Sequence, residues 1–197
     1  RALERRTWRD SGLEARLRQH PNCALLLKGE AHTLVLRNGK VAGVETSLGL
    51  LDADQYVLAA GIQSRDLAAT AGIYLPLYPL KGYSLTAPIR AQDLAPAISI
   101  TDFERKVLYA RIGGSLRVAA MVDMVGADTS ITPARIAGLK RLASVAMPQA
   151  ADYEQATAWA GLRPATPNSA PLVGASKYPN LWLNVGHGPL GFTFAAG

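Results

Sequence analysis

Cysteine is almost absent. Cys23 is the only one in 197 residues, which excludes a disulfide framework and any zinc site built on several thiolates. Histidine is scarce as well: His20, His32 and His187 stand apart, with no metal-ligand spacing. No apolar run approaches ~18 residues, so no transmembrane helix is expected. The chain begins at Arg1 with neither Met nor an apolar stretch behind its basic residues, so no signal peptide is visible. Gly-x-Ser-x-Gly is missing, which leaves a serine hydrolase without support, and so is the Walker lysine loop. An amino-terminal Gly-x-Gly-x-x-Gly between a strand and a helix is missing too. What remains is globular in composition, with 49% hydrophobic and 18% charged residues, enough to bury a core and to disfavour disorder.

The net charge is +6. Half of that excess sits in the first eighteen residues, where Arg1, Arg5, Arg6, Arg9, Arg16 and Arg18 outnumber Glu4, Asp10 and Glu14. This is the pattern of a solvated helix face. No basic run with interleaved aromatics follows, so nucleic acid is not an expected partner.

The spacing of Leu3, Leu13 and Leu17 predicts a helix over 1–19, ended by His20-Pro21-Asn22. Strands are expected over 23–28, 32–37 and 41–47, the last two joined by the hairpin dipeptide Asn38-Gly39. A further strand at 56–60 stops at Gly61, and a short helix covers 63–71. Residues 74–88 read as extended chain. Residues 107–111 and 116–122 alternate around Gly113-Gly114 as a second hairpin. Thr132-Pro133 opens a helix, Thr as N-cap and Pro at the first turn, with Ile136, Leu139, Leu142, Ala143 and Ala146 on one face. Residues 154–160 are strand-like, 163–179 irregular, and 181–185 a short buried strand. The fold class expected is mixed α and β (α+β with an α/β part), two textures interrupting one another.

Two segments could carry chemistry. From Leu181 to Thr193 a buried strand runs into a glycine-rich turn, where a helix is expected to begin. Such a turn presents backbone N–H groups and a partial positive charge. It suits a phosphate, a carboxylate or a delocalised anion such as a reduced flavin; equally it serves as a tight turn with no ligand. In Gly161-Leu162-Arg163-Pro164-Ala165-Thr166-Pro167, Arg163 could hold a carboxylate in its two-pronged fork, or cap loop carbonyls. Cys23 lies in an apolar run and reads as an inert core residue.

These segments, together with Tyr78-Pro79-Leu80-Lys81-Gly82-Tyr83-Ser84-Leu85, with Asn180-Leu181-Trp182-Leu183-Asn184 before Gly186-His187-Gly188 and Leu190-Gly191, and with Leu51-Asp52-Ala53-Asp54 through Ala59-Ala60-Gly61, resemble the small subunit of D-amino acid dehydrogenase, within the FAD-dependent D-amino acid oxidase and glycine oxidase superfamily. The resemblance covers nearly the whole chain. It implies part of an FAD-binding domain (1–73 and 161–197) interrupted by an antiparallel substrate sheet with one long helix (74–160). It implies oxidation of a D-amino acid to an imino acid, which hydrolyses to a 2-oxo acid and ammonia. By residue, it implies that Arg163 binds the substrate carboxylate, with Tyr83 and Met121 lining the pocket. Ala60 and Gly61 approach the cofactor, and Gly186, His187, Gly188, Leu190, Gly191 and Thr193 form the turn beside the flavin. The electron acceptor implied is a respiratory chain, and the place implied is cytoplasmic, with peripheral association at the inner face of the cell membrane. A glycine- or sarcosine-oxidase-like enzyme and a non-catalytic domain that kept the fold are the other readings.

The chain departs from that family in places. The amino-terminal dinucleotide fingerprint is not in these residues, so the fragment alone is expected to bind FAD poorly and not to turn over. Asn168-Ser169 stands where Asp-Gly is frequent. Ala119-Ala120 replaces Gly-Gly, adding two methyls that narrow the pocket. Pro189 removes one backbone N–H beside the flavin. No general base is evident, and an amine deprotonated before hydride transfer needs none.

Overall fold

In the computed structural model, residues 11–191 and 193 are described. Helix α1 spans Ser11–Gln19, the carboxyl half of the helix expected over 1–19; its first ten residues lie outside the described set. Three short strands then form an antiparallel meander: β1 Ala31–Arg37, β2 Lys40–Thr46 and β3 Gly49–Leu51. Asn38 and Gly39 both take positive φ, 51° and 73°, the two-residue turn whose twist matches its flanking strands. No strand forms over 23–28. That run has no apolar/polar alternation and finds no ladder partner, so Leu26 and Leu27 remain exposed.

A second sheet is built from distant segments. β4, Tyr56–Leu58, pairs in parallel with β11, Leu181–Val185, and β10, Leu172–Ala175, runs antiparallel on the other side of β11. β4 is shorter than expected because pairing ends with Leu58 against Leu183. A 3-10 turn, Gly61–Gln63, leads into helix α2, Ser64–Thr70. Leu34, Val41, Leu58, Ala68, Leu77, Leu181 and Val185 form the core of this part.

The third sheet has five antiparallel strands in the order β6-β7-β8-β5-β9. They are β5 Tyr78–Pro88, β6 Ile100–Asp102, β7 Val107–Ile112, β8 Ser115–Asp123 and β9 Thr157–Ala165. Helix α3, Pro133–Ala146, covers one face, burying Leu139 and Ala143 against Tyr83, Leu85, Val118 and Tyr109. Ala146, expected on that stripe, is exposed. Thr132 has the extended φ/ψ of an N-cap, and its carbonyl accepts from Arg135 and Ile136 N–H, but its hydroxyl makes no capping bond and lies 3.3 Å from the Tyr83 hydroxyl. Two segments expected to be irregular are strands, the carboxyl end of β9 and all of β10. The prolines at 164, 167 and 171 fall where a strand edge or turn tolerates a missing N–H.

Candidate active site

On β5, side chains alternate between the two faces of the sheet. Tyr83 and Leu85 point to the α3 side, and Gly82 and Ser84 to the other. Antiparallel partners share a face, so Gly161 opposite Gly82 and Trp159 opposite Ser84 lie with them. Arg163, two residues on from Gly161 along β9, projects on this same side.

Arg163 crosses three strands. Rooted in β9, its guanidinium lies flat on the Cα of Gly82 in β5. A Cβ on Gly82 would overlap Arg163 Nη2 and Cζ. The far end reaches β8, where Nη1 donates to the Met121 carbonyl at 3.3 Å. Met121 can offer that oxygen because the β5–β8 register slips between Lys81 and Tyr83, and Met121 turns into the left-handed region at φ 69°, a local bulge. That partner is a neutral carbonyl, and among the described residues Arg163 has no carboxylate partner. Partial burial pushes its pKa down from the ordinary arginine value, yet a guanidinium stays charged. A half-buried guanidinium with most of its donor fork open has the donor geometry that a carboxylate matches.

The other pocket residues expected from sequence are placed differently. Tyr83 is on the opposite face, its hydroxyl donating to Asp123 Oδ2 at 2.9 Å; Asp123 is also held by Arg135. Met121 comes to Arg163 through its backbone, while its methyl sits beside Gly138 of α3. Ala119 faces Ser84 on the Arg163 side, and Ala120 faces the core. Sequence reasoning passed over Gly82, Trp159 and Arg117 as site residues. The available signal was two mid-strand glycines, Gly82 and Gly161, since such glycines mark a close approach.

Two turns flank the carboxyl end of β9: Gly61–Gln63 and a 3-10 turn, Gly188–Leu190. An isolated bridge joins Ala165 to His187. Gly186 is buried at φ 81°, where a Cβ would press on Thr166 Cγ2 at 2.7 Å and Leu77 Cδ2 at 3.1 Å. Gly61 and Gly188 are also left-handed, at φ 60° and 55°, and open on the side a Cβ would take. A Cβ on Gly191 would stand 3.2 Å from His187 Cβ, Leu190 N–H donates to the His187 carbonyl, and Leu190 and Thr193 are exposed. The helix expected beyond this turn falls largely on Phe192 and 194–197, outside the described residues. Ala60 is exposed, its N–H donating to the buried Ser64 Oγ at 2.9 Å. It lies on the rim of a cavity of about 870 Å3 between the segment 28–32 and α2. So Ala60, Gly61 and the 186–191 turn are gathered beside the strand that carries Arg163. Left-handed glycines with open space over the backbone are a cradle into which a flat ring fits without steric conflict.

Ser169, where Asp-Gly is frequent, takes φ 61°, a conformation glycine adopts at less cost. Asn168 Oδ1 holds this turn by accepting from Ala170 N–H at 3.1 Å.

Residues 13–197 match the family described as DAO, FAD dependent oxidoreductase. The chain is 52% identical over 185 residues to D-amino acid dehydrogenase 2 of Pseudomonas aeruginosa, covering 94% of this chain and 44% of that protein. It is 46% identical to D-amino acid dehydrogenase of Paramagnetospirillum magneticum, over 84% of this chain and 39% of that one. The chain thus spans less than half the length of these relatives. Among solved structures, glycine oxidase from Bacillus cereus superposes with a TM-score of 0.70 at 25% identity, over 83% of this chain and 45% of that one. L-proline dehydrogenase from P. horikoshii superposes with a TM-score of 0.77 at 20% identity, over 88% and 48%, a likeness of fold.

Proposed function

The chain belongs to the DAO family of FAD-dependent oxidoreductases, and from that premise we propose that it supplies the substrate sheet and the flavin-side turns of an enzyme that oxidises D-amino acids to 2-oxo acids and ammonia. The observation that carries this reading is Arg163, a half-buried guanidinium laid on Gly82 and anchored to the Met121 carbonyl. Anchored at one end, it would take the substrate carboxylate bidentately and fix the amine carbon toward the turns at Gly61 and Gly188. Ala60, Gly61, Gly186, His187, Gly188, Leu190, Gly191 and Thr193 would hold the cofactor, with backbone in place of side chains so that a planar ring lies close. Bound FAD supplies the acceptor for the hydride of the amine carbon. The imino acid released is then hydrolysed by water. Tyr83, on the far face, would act on the pocket through Asp123 and the α3 entry.

Two relatives are named dehydrogenases, which supports an electron acceptor other than oxygen, in a respiratory chain at the inner face of the cell membrane. Among the described residues no helix is long and apolar enough to cross a membrane, and peripheral association is the reading in keeping with that. The likeness to glycine oxidase, at 25% identity against 52% for the dehydrogenase, makes an oxygen-using oxidase the weaker reading.

The test is anaerobic addition of D-alanine to the protein expressed from its full reading frame, followed at the flavin absorption band. Bleaching is expected, with reoxidation faster by a quinone than by oxygen. Arg163→Ala should lower kcat/KM by about a hundredfold or more, and Arg163→Lys, which keeps charge but not the fork, by about tenfold. Bleaching indifferent to Arg163 would sink this reading, and faster reoxidation by oxygen would favour the oxidase.

A further inference from the structure

We propose, on the footing of Arg163 as the carboxylate holder, that Trp159 is the specificity-determining wall of the substrate pocket and that it selects apolar side chains. Trp159 and Arg163 lie on one strand and one face. The indole is laid along β9 over Gly161, so closely that a Cβ on Gly161 would overlap its six-membered ring. Gly161 pairs with Gly82, the residue under the Arg163 guanidinium. Directly opposed residues of an antiparallel pair stand about 5 Å apart at Cβ. The ring and the guanidinium are therefore neighbours on a floor of two glycines.

Arg117, on the same face of β8, stands against the ring, its Cζ 5.6 Å from the centroid, while Nη2 donates to Ser84 Oγ at 3.1 Å. Arg117 is 8% exposed. The contact with the ring braces the indole. Trp159 itself is 38% exposed, and that open part is an apolar surface on the same strand and face as Arg163. A carboxylate seated on Arg163 puts its own side chain against this surface. A chain that runs along the open part of the ring covers more indole carbon with each added methylene.

The test separates the wall from the anchor by ligand binding without turnover. Straight-chain carboxylates from acetate to hexanoate are titrated into the flavin-loaded protein expressed from its full reading frame, and the shift of the visible flavin band gives each Kd. In the parent protein each methylene should tighten binding by about fourfold. In Trp159→Ala the gain should fall below about 1.5-fold per methylene, with acetate changed by less than about twofold, while Trp159→Phe keeps most of the gain. Should Trp159→Ala fail to retain flavin, Trp159→Phe and Trp159→Leu carry the comparison, with gains graded Trp, Phe, Leu; equal gains overturn the proposal. So does acetate weakened as much as hexanoate, which would mark Trp159 as merely structural. Acetate binding that survives Arg163→Ala overturns the anchor. An unchanged gain per methylene, with acetate binding still lost in Arg163→Ala, overturns the wall alone.

Discussion

Gly82 is the residue on which the candidate site turns. It sits in the middle of the longest strand, a position where glycine lowers strand stability, and the arrangement of Arg163 accounts for it. The guanidinium occupies the place of a side chain. Gly82→Ala should leave the sheet folded, with a melting temperature equal to or slightly above that of the parent, and displace Arg163. A displacement of about an ångström at the anchor is expected to lower kcat/KM by about tenfold or more, chiefly through KM. Steady-state kinetics beside a thermal melt checks this. An unchanged KM would mean that Arg163 is placed by something other than Gly82. Met121 belongs to the same device, since its left-handed backbone turns the carbonyl toward Nη1.

At the scale of elements, the question is how strands far apart in sequence are joined. Asn180, 7% exposed, stands just before β11 and ties it to β2 and β4. Its Oδ1 accepts from Val41 N–H at 3.1 Å, and its Nδ2 donates to the Val41 carbonyl at 2.8 Å and the Asp54 carbonyl at 3.4 Å. The Asn180 carbonyl accepts from Tyr56 N–H at 2.9 Å, which sets β4 parallel to β11. Asn180→Ala would leave the buried Val41 N–H and C=O without these partners. Each such loss costs about 1–3 kcal/mol, so a total of about 2–6 kcal/mol is expected in urea unfolding. A change below about 0.5 kcal/mol would show that the meander and the parallel pair are held by their apolar core alone.

Over the whole molecule, carboxylates held by cations set the behaviour in acid. The hydrogen bond from Lys81 Nζ, at 2.8 Å, and the N–H and hydroxyl of Ser130 bring Asp128 down from 3.8 to about 2. Asp93 beside Arg90 and Asp102 beside Arg105 are lowered as well. A carboxylate depressed in the folded state contributes stability above its unfolded pKa and loses it as pH falls through the folded one. For Asp128 that window runs from about 3.8 to about 2. The same bond raises Lys81, so the ammonium's contribution is present below 10.5 and lost only in stronger alkali. Asp128→Asn should therefore be less stable than the parent near neutral pH, because it strands the buried Lys81. The difference should shrink between pH 4 and 2 and vanish below. A difference constant down to pH 2 in chemical denaturation would show that the pair contributes nothing through charge.

Much of this was legible in the residues themselves. Asn38-Gly39, Gly113-Gly114 and Thr132-Pro133 are local signals, and the structure follows them because turn and cap conformations are decided over a few residues. The joint occurrence of short motifs along the chain carries the resemblance to a family of flavin enzymes, and Arg163 stands out just before a proline and two residues after a glycine. Other features are not local. A ladder needs a partner, so the apolar run 23–28 forms no strand while β10, in a proline-rich stretch, does. Face depends on register: alternation along β5 turns Tyr83 to the α3 side, and the bulge at Met121 brings a backbone carbonyl to Arg163. Composition and short motifs determined the class, the turns and the candidate anchor. Only tertiary structure decided that Gly82, Gly161 and Trp159 stand beside that anchor, because side chains on separate strands become neighbours only once the ladder has set which residue lies opposite which.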